Sequence, residues 1–330
     1  MYYIENPVTD AAYNLALEEF FCQQRDRSFF ILWRNAPAVI VGRYQNTLAE
    51  VNLPYCEQKQ IAVVRRNSGG GAVFHDLGNL NFSFLLDHDD RQKPDFAPFA
   101  ERIAAALRAM GLSAQISGRN DIEICGRKVS GNAQFLHQGR LLHHGTLLFD
   151  VDMEQLAHTL AVDPEKIHSK GVASVRARVQ NIRALLPDGG RMDVLAFRDA
   201  LAAAFAAVQP GGLQRYVPNA EEQEAIRQLA EEKYRSWEWN FGASPQADCS
   251  FHHRFPAGKV EIAIKLSAGR IAEFHMTGDF FADAALTPFL DGFHGLPFTR
   301  EALAGYLQTQ VIPLRGIGAA ELLYCCFEAQ

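Results

Sequence analysis

The sequence has no cysteine pair spaced C-x-x-C, so its six scattered cysteines indicate neither a zinc ribbon nor a thioredoxin-like redox motif. It also has no apolar run of about 20 residues, the length that a helix needs to cross a bilayer. Its first 20 residues contain four carboxylates and no basic side chain, which argues against a secretory signal peptide. A net charge of -6 disfavours a general nucleic-acid-binding protein. We therefore expect a reduced, cytoplasmic protein whose partners include neither nucleic acid nor membrane.

Signatures of several common enzyme classes are absent as well. The sequence has no H-E-x-x-H pattern for zinc hydrolysis and no G-x-S-x-G nucleophile elbow. It has no G-x-x-x-x-G-K-[ST] loop and no G-x-G-x-x-G that opens a helix, so the two commonest nucleotide-binding folds are not indicated. A Ser–His–Asp set assembled only in three dimensions stays open, although no stretch of the sequence indicates one.

The sequence does contain enough apolar residues for a sizeable core, since 48% of its 330 residues are hydrophobic and 21% are charged. Its strand-like runs come in hairpins and do not alternate with helices, which predicts an α+β fold and not a doubly wound one. Residues 241–248 combine Gly, Ser, Pro and polar side chains, as a linker does. We therefore expect a first domain at residues 1–245 and a small α+β domain at residues 249–330.

The most unusual stretch is RRNSGGGAVFHDLGNLNFSF, at residues 65–84. Three successive glycines after a buried strand are more than a simple hairpin turn requires. Because glycines have no side chains, their successive N–H groups can converge on an anion. Arg65 and Arg66 point to opposite faces of a strand, so we expect one of them to reach the ligand. A glycine-rich turn beside two solvent-exposed arginines is the alternative.

A second polar stretch is GRNDIEICGRKVSGNAQ, at residues 118–134. Asn120 and Asp121 together suit a divalent cation or a ribose hydroxyl. Lys128 lies in a glycine-flanked strand, where it either meets a substrate anion or discourages aggregation of an edge strand. Cys125 lies three residues before Lys128, and a nearby ammonium group favours a thiolate.

Two adjacent histidines, His143 and His144, occur in LLHHGTLLFDVD. Successive side chains of a strand face opposite sides, so these two are not expected to chelate one metal ion. We expect His144 to face a cleft, and a structural histidine is the alternative.

Eight motifs, in this order along the chain, resemble those of the lipoate–protein ligase family. The similarity runs from Asn14 to Ile182, and KYRSWEWNFG at residues 233–242 together with the tail resembles the longer members. It implies a biotin-ligase-like α+β catalytic domain, related to class II aminoacyl-tRNA synthetases, and a small accessory domain. The motifs are NLALEE, LWRN, VIVGRYQN, RRNSGGGAVFHDLGNLNFSF, GRNDI, GRKVSGNA, HHGTLLFDVD and KGVASVRARVQNI.

The resemblance also implies a two-step reaction with ATP and Mg²⁺. Lipoate attacks the α-phosphate to give lipoyl-adenylate and pyrophosphate, and a lysine of a lipoyl-carrier protein then takes the acyl group and releases AMP. By resemblance Lys128 is the catalytic residue, a compact cation between two mutually repelling anions, and Asp121 is the metal ligand. The residues implied to bind ATP are Arg66, Gly71, Ala72, Val73, Phe74, Asn120, Asp121 and Lys128.

The substrate in this interpretation is lipoate, with octanoate as a second candidate, and its apolar tail needs a narrow hydrophobic slot. The implied acceptors are the lipoyl domains of 2-oxoacid dehydrogenase complexes and the glycine-cleavage H protein. Residues 164–183 carry five basic side chains and one acidic side chain, which would attract acidic carrier domains; a solvated surface is the alternative. The residues expected to bind the substrate are Trp33, Val41, Ser68, Gly69, Gly70, His75, Phe82, Lys128 and His144.

Two other functions remain open from the sequence. Cys125 stands before GRK, where an acidic residue or another turn residue is expected, and a related group of enzymes moves octanoyl or lipoyl chains through a cysteine thioester without ATP. A non-catalytic lipoate-binding protein is the third hypothesis. Pyrophosphate release from lipoate and ATP alone would distinguish the ligase from both.

Overall fold

The computed structural model describes residues 1–25, 27–89, 93–118, 121–160, 179–242, 248–267 and 269–328. The chain divides into two compact units, each of which consists of three separate segments of the sequence. The first unit consists of Met1–Ile40, Glu50–Val64 and Val73–Ser236, and the second consists of Val41–Ala49, Arg65–Ala72 and Trp237–Gln330. Two short segments of the N-terminal half therefore belong to the second unit. The domain boundary at residues 245–249 stays a prediction.

The first unit contains an eight-stranded mixed sheet with the order β11-β1-β2-β6-β10-β9-β8-β7. The neighbours from β2 through β6, β10, β9 and β8 to β7 all pair antiparallel. Strand β1 pairs parallel with both β2 and β11. A smaller sheet has the order β4-β3-β5. The strands are β1 Tyr2–Glu5, β2 Phe29–Trp33, β3 Ala38–Val41, β4 Ala62–Arg65, β5 Val73–His75, β6 Asn79–Asp87, β7 Ala114–Ser117, β8 Asp121–Ile124, β9 Arg127–His137, β10 Arg140–Leu148 and β11 Gln214–Arg215.

Helices cover both faces of the large sheet. The apolar sides of α4 and α6 pack on one face, and α1 packs on the other, against β6 and β10. The sequence offers Thr9 or Asp10 as the cap of α1, and the structure shows that Asp10 accepts a hydrogen bond from the Tyr13 amide. The helices of this half are α1 Ala11–Cys22, α2 Thr47–Glu50, α3 Leu53–Gln58, α4 Ala97–Ala109, α5 Met153–Thr159, α6 Val194–Val208 and α7 Ala220–Leu229.

The two central strands are buried on both sides. On β6, Phe84 faces the apolar core, whereas Ser83 faces α1 and donates a hydrogen bond to Glu18. On β10, the ring of His143 stacks on Phe99 of α4 with centroids 4.6 Å apart, whereas His144 contacts Glu18. The prediction that the two histidines face opposite sides is confirmed. The polar residues that alternate with apolar ones along these strands therefore form a buried polar layer between the sheet and α1.

The second unit contains an antiparallel sheet with the order β12-β13-β14, and its apolar face packs on the helices of the tail. In the sequence, the strand-like runs KVEIAIKL and RIAEFHMT flank the turn-forming SAG and predict a hairpin. This hairpin is confirmed as β13–β14, and β12 adds a third strand that was not predicted. The elements are α8 Trp237–Phe241, β12 Cys249–Phe255, β13 Gly258–Ser267, β14 Arg270–Gly278, α9 Thr287–Asp291, α10 Arg300–Thr309 and α11 Ala319–Phe327.

The predicted α+β class is confirmed by both units. In the part of the chain that the structure describes, no helix is long and apolar enough to cross a membrane. All six cysteine thiols are free, and the adjacent pair Cys325 and Cys326 is buried in α11.

The buried His143 should make the protein less stable in mild acid. Burial lowers the pKa of His143 well below 6.5, so below that pH the unfolded chain binds a proton that the folded chain excludes. The free energy of unfolding should therefore fall by up to about 1.4 kcal/mol per pH unit as the pH drops from 6.5 towards the folded pKa. Urea denaturation at pH 7.5, 6.5 and 5.5 measures this slope. His143→Gln should reduce it, and an unchanged slope would contradict the assignment.

Candidate active site

Cys125 lies in the turn that precedes Lys128. Strands β8 and β9 are joined by Cys125 and Gly126, whose φ angles are 53° and 73°. Two successive positive φ angles define a type I′ hairpin turn, which favours Asn, Asp or Gly at its first position. Cys125 occupies that position and is exposed. The residue before GRK is therefore a turn residue, as the resemblance led us to expect, but of an unusual type.

A β-bulge orients Lys128. Asp121 pairs with Gly131 and Glu123 pairs with Lys128, and the register shifts between these pairs. Paired residues share a face of the sheet, so the extra residue in β9 brings Lys128 to the same face as Asp121 and Gly131. Without the bulge, Lys128 and Gly131 would point to opposite faces. The bulge in the backbone therefore determines the face of the sheet to which Lys128 points.

Lys128 and Asp121 form an ion pair, with Nζ and Oδ1 2.8 Å apart. The lysine side chain is 36% exposed and the aspartate side chain 29%, so both remain accessible to a ligand. Gly131 leaves room for the lysine, because a Cβ there would lie 3.2 Å from Nζ. The main chain is fixed as well, since Gln180 N–H donates to the Lys128 carbonyl at 3.0 Å. The structure therefore brings the predicted catalytic residue and the predicted metal ligand together.

A buried polar cluster connects α1 with the central strands. Trp33 Nε1 donates to Ser83 Oγ at 2.8 Å, and Ser83 Oγ donates to a carboxylate oxygen of Glu18. His144 Nδ1 lies 3.0 Å from the same oxygen. All four side chains are less than 10% exposed. Two predicted substrate-binding residues, Trp33 and His144, are thereby brought together by a carboxylate that the sequence interpretation did not assign.

Phe82 packs on the other face of the sheet. Its ring approaches Gly145 so closely that a Cβ at Gly145 would lie 2.5 Å from Cζ of Phe82 and equally near Oδ1 of Asn132. Asn132 Oδ1 also lies 3.1 Å from His143 Nε2. Gly145 is thus required by close packing, and Phe82 is fully buried in the core. Its predicted role as a wall of the substrate slot stays a prediction.

The predicted residues of β5 lie in the small sheet. Val73 and Phe74 pair with Ile40 and Val39 of β3, so their main chains are engaged in a ladder. His75, 3% exposed, has its Nδ1 3.1 Å from the Nδ2 of Asn35. These residues are held firmly in place. Their contacts with ATP or lipoate stay predictions.

The triple glycine belongs to the second unit, where it meets the residues that follow β14. Gly70 N–H donates to the Phe280 carbonyl at 3.1 Å. A Cβ at Gly69 would lie 2.4 Å from that carbonyl oxygen, and one at Gly70 would lie 3.1 Å from the Phe281 ring. Gly70 also has a φ of 88°, which disfavours residues with a side chain. Close backbone approach therefore explains two of the three glycines without any ligand.

Arg66 organises the glycine loop. Its guanidinium donates to the carbonyls of Gly69 and Gly71 at 2.7 and 2.8 Å and to Ser68 Oγ at 3.0 Å. Its amide donates to the carbonyl of Val41. The predicted residues Arg66, Ser68 and the glycines are thus brought together, with Ala72 following in the chain. Neither Arg65 nor Arg66 is solvent-exposed, so the alternative of a turn with two exposed arginines is wrong.

Two predictions fall outside the described residues: the role of Asn120 and most of the basic segment at residues 164–183. Among the residues that are described, no three His, Cys, Asp or Glu side chains converge as ligands of a metal ion. The residues missed by the sequence interpretation are Glu18 and Ser83. Glu18 had a signal, because it lies in the NLALEE motif on a mostly apolar helix.

Comparisons with known proteins agree with these motifs. The description "Lipoyl protein ligase A/B catalytic domain" matches residues 10–206, and "Bacterial lipoate protein ligase C-terminus" matches residues 244–321. Over 312 residues the chain is 38% identical to the lipoate-protein ligase LplJ of Bacillus subtilis, and the match covers 93% of this chain and 94% of the relative.

Two solved structures have the same fold. A bi-partite lipoate protein ligase from Thermoplasma acidophilum, described with its E2 lipoyl domain, has a TM-score of 0.63 and 28% identity, over 75% of this chain and 98% of that chain. Lipoate-protein ligase A bound with ATP has a TM-score of 0.61 and 28% identity, over 73% and 97%. The likeness to biotin ligases and class II synthetases stays a prediction. The chain belongs to the lipoate–protein ligase family.

Proposed function

We propose that this chain activates lipoate with ATP and transfers the lipoyl group to a lysine of a carrier protein. In the first step a lipoate carboxylate oxygen bonds to the α-phosphorus, and the bond from that phosphorus to the pyrophosphate oxygen breaks. In the second step the lysine amine attacks the acyl carbonyl, AMP leaves, and the amine loses a proton. The observation that carries the proposal is the partly exposed side chain of Lys128, positioned by the bulge and paired with Asp121.

The chemistry explains why a lysine is suited to this position. The carboxylate and the α-phosphate repel each other, and a compact ammonium between them lowers that repulsion. Negative charge also increases on the phosphoryl oxygens as the bond forms, so a cation already in place stabilises the transition state most. Asp121 limits the freedom of the ammonium without enclosing it, because both side chains remain partly exposed.

Asp121 is also the residue that would hold Mg²⁺. Magnesium is usually bound by one or two carboxylates together with substrate phosphates, so one partly exposed carboxylate without a complete protein cage fits this ion. When bound, Mg²⁺ would neutralise charge on the phosphates of ATP. Arg66 and the residues from Gly71 to Phe74 are the proposed protein contacts of the nucleotide.

The decisive test is pyrophosphate release by the purified protein from lipoate and ATP, without a carrier. A ligase produces it, whereas a cysteine-dependent transferase and a non-catalytic binder do not. Mass spectrometry after addition of an apo lipoyl domain should then show one lipoyl group on one lysine. Absence of pyrophosphate in the first reaction would refute the proposal.

The cysteine-dependent transferase makes a different prediction for Cys125. The thiol is exposed in a tight turn, whereas the apolar acyl chain of a thioester intermediate favours a site that removes it from water. We therefore expect Cys125→Ser to retain both half-reactions within about twofold. Cys125→Asn should do the same and slightly raise Tm, because Asn tolerates positive φ better. Lipoate trapped on Cys125 in the absence of ATP would overturn the ligase assignment.

The proposed acceptors are the lipoyl domains of 2-oxoacid dehydrogenase complexes and the glycine-cleavage H protein. The Thermoplasma relative described with its E2 lipoyl domain supports a partner of this class. A cytoplasmic location is proposed on the basis of the six free thiols. Incubation with each apo carrier and ATP, followed by intact-mass measurement, tests the acceptors one by one.

A further inference from the structure

The side chains of Trp239 and Asn240 form hydrogen bonds with both main-chain polar groups of Arg65. The Arg65 N–H donates to Asn240 Oδ1 at 2.8 Å, and the Arg65 carbonyl accepts from Trp239 Nε1 at 2.8 Å. A neighbouring strand would normally provide these two partners. Here the side chains of two consecutive residues, 174 and 175 positions away, provide them at the last residue of β4.

The side chain of Arg65 returns the interaction. Its guanidinium donates to the carbonyls of Trp239 and Asn240 at 2.8 and 3.1 Å. Each segment therefore uses its side chains to bind the main chain of the other. Arg65 is 1% exposed, and burial lowers its pKa to about 10. Its remaining acceptors are also neutral oxygens: the carbonyls of Gly42, Arg43 and Gln45 and the hydroxyl of Thr47.

The acceptors at residues 42–47 form a turn that lies against the glycine loop. Arg43 N–H donates to the Ser68 carbonyl at 2.8 Å. Gly42 approaches the loop so closely that a Cβ would lie 1.9 Å from the carbonyl oxygen of Gly70. The guanidinium of Arg43 in turn lies over the Trp239 ring, 4.1 Å from its centroid. Arg65 therefore joins residues 239–240 to residues 42–47. Residues 42–47 in turn contact the glycine loop that follows Arg65.

We propose that Arg65, Trp239 and Asn240 are positioning residues for the nucleotide, acting through the glycine loop. The inference rests on the proposed function and adds residues to which no substrate contact has been assigned. The apparent affinity of a site falls in proportion to the fraction of molecules in the binding-competent conformation. Loss of a hydrogen bond between Arg65 and residues 239–240 should therefore weaken ATP binding. It should leave Lys128 and Asp121, which lie on other strands, unchanged.

The informative substitution is Trp239→Phe. Arg65→Ala would leave a buried set of carbonyls without donors and is expected to unfold the unit. Trp239→Phe keeps an aromatic ring under Arg43, although a smaller one, and removes the N–H that donates to the Arg65 carbonyl. We expect KM for ATP in pyrophosphate release to rise about fivefold, the equivalent of one hydrogen bond. KM for lipoate and the far-ultraviolet circular dichroism spectrum should stay unchanged.

Trp237→Phe is the matched control. Trp237 lies in the same helix, is 62% exposed and stacks on Phe241, so its substitution should leave KM for ATP within twofold of the wild type. Equal values of KM for ATP in the two variants would overturn the inference, and so would equal increases in KM for ATP and lipoate in Trp239→Phe. Failure of the wild-type protein to release pyrophosphate would instead refute the proposed function. The two failures are therefore distinguishable.

Discussion

Lys128→Ala should lose about 10²- to 10³-fold in the rate of lipoyl-adenylate formation and remain folded. Loss of one donor that is already aimed at developing charge costs about 2.7–4 kcal/mol in the transition state. The side chain is more than one-third exposed and packs over a glycine, so its removal leaves no core cavity. Pyrophosphate release measures the rate, and thermal unfolding measures the integrity of the fold.

Arg127→Ala is the matched control for this substitution. Arg127 is exposed, precedes Lys128 in the same strand, and pairs with Ile124 at the end of the hairpin. Its loss should change the rate less than about threefold, because exposed charges interact weakly in water. Lys128→Arg should recover only part of the activity, since a planar guanidinium cannot replace a compact ammonium. Near-normal pyrophosphate release by Lys128→Ala would remove the lysine from the mechanism.

Glu18→Ala should lower the free energy of unfolding by about 3 kcal/mol. The carboxylate is 1% exposed and accepts from Ser83, and His144 Nδ1 contacts it at 3.0 Å. Loss of a buried acceptor leaves its donors desolvated, at a cost of about 1–3 kcal/mol for each. The shortened side chain also leaves a cavity between α1 and β6. Urea denaturation followed by tryptophan fluorescence measures the change.

Glu18→Gln separates the hydrogen bonds from the charge. The amide keeps the shape and one acceptor oxygen for Ser83, and its NH₂ group can donate to the other tautomer of His144. We expect this variant to lose only about 1 kcal/mol, because no cavity forms and the donors keep partners. Equal destabilisation by the two substitutions would show that the cluster depends on the negative charge. A loss below about 1 kcal/mol for Glu18→Ala would contradict the structural role.

Much of the fold follows from local patterns in the sequence. Three local patterns each specify structure within a few positions. They are the capping residue Asp10 before α1, the turn pairs Cys125-Gly126 and Gln138-Gly139, and the two-residue period of β6. The α+β class, the position of α1 and the hairpins at residues 121–148 were predictable for that reason. The eight motifs then identified the family without reference to the structure.

What was not predictable depends on partners far away in the sequence. Lys128 was proposed from its motif, but the bulge that directs it depends on a register that no local pattern specifies. Glu18 could be assigned only once α1 was known to cover the polar face of β6. Arg65 and Arg66 look equivalent in the sequence. Their contacts differ because Arg65 meets residues 239–240 and Arg66 meets the glycine loop.

The second unit combines segments that are far apart in the sequence, so it can form only after residues 237–330 have been synthesised. The glycine loop at residues 65–72 leaves the ribosome long before Trp239 and Asn240, its partners through Arg65. Closing such a distant contact is slow and has an entropic cost, and domains fold largely as their residues emerge. A nascent chain can therefore assemble the large sheet first, while the loop waits for residues 237–241. An incomplete chain would thus hold Lys128 in place before residues 65–72 meet their partners at residues 239–240.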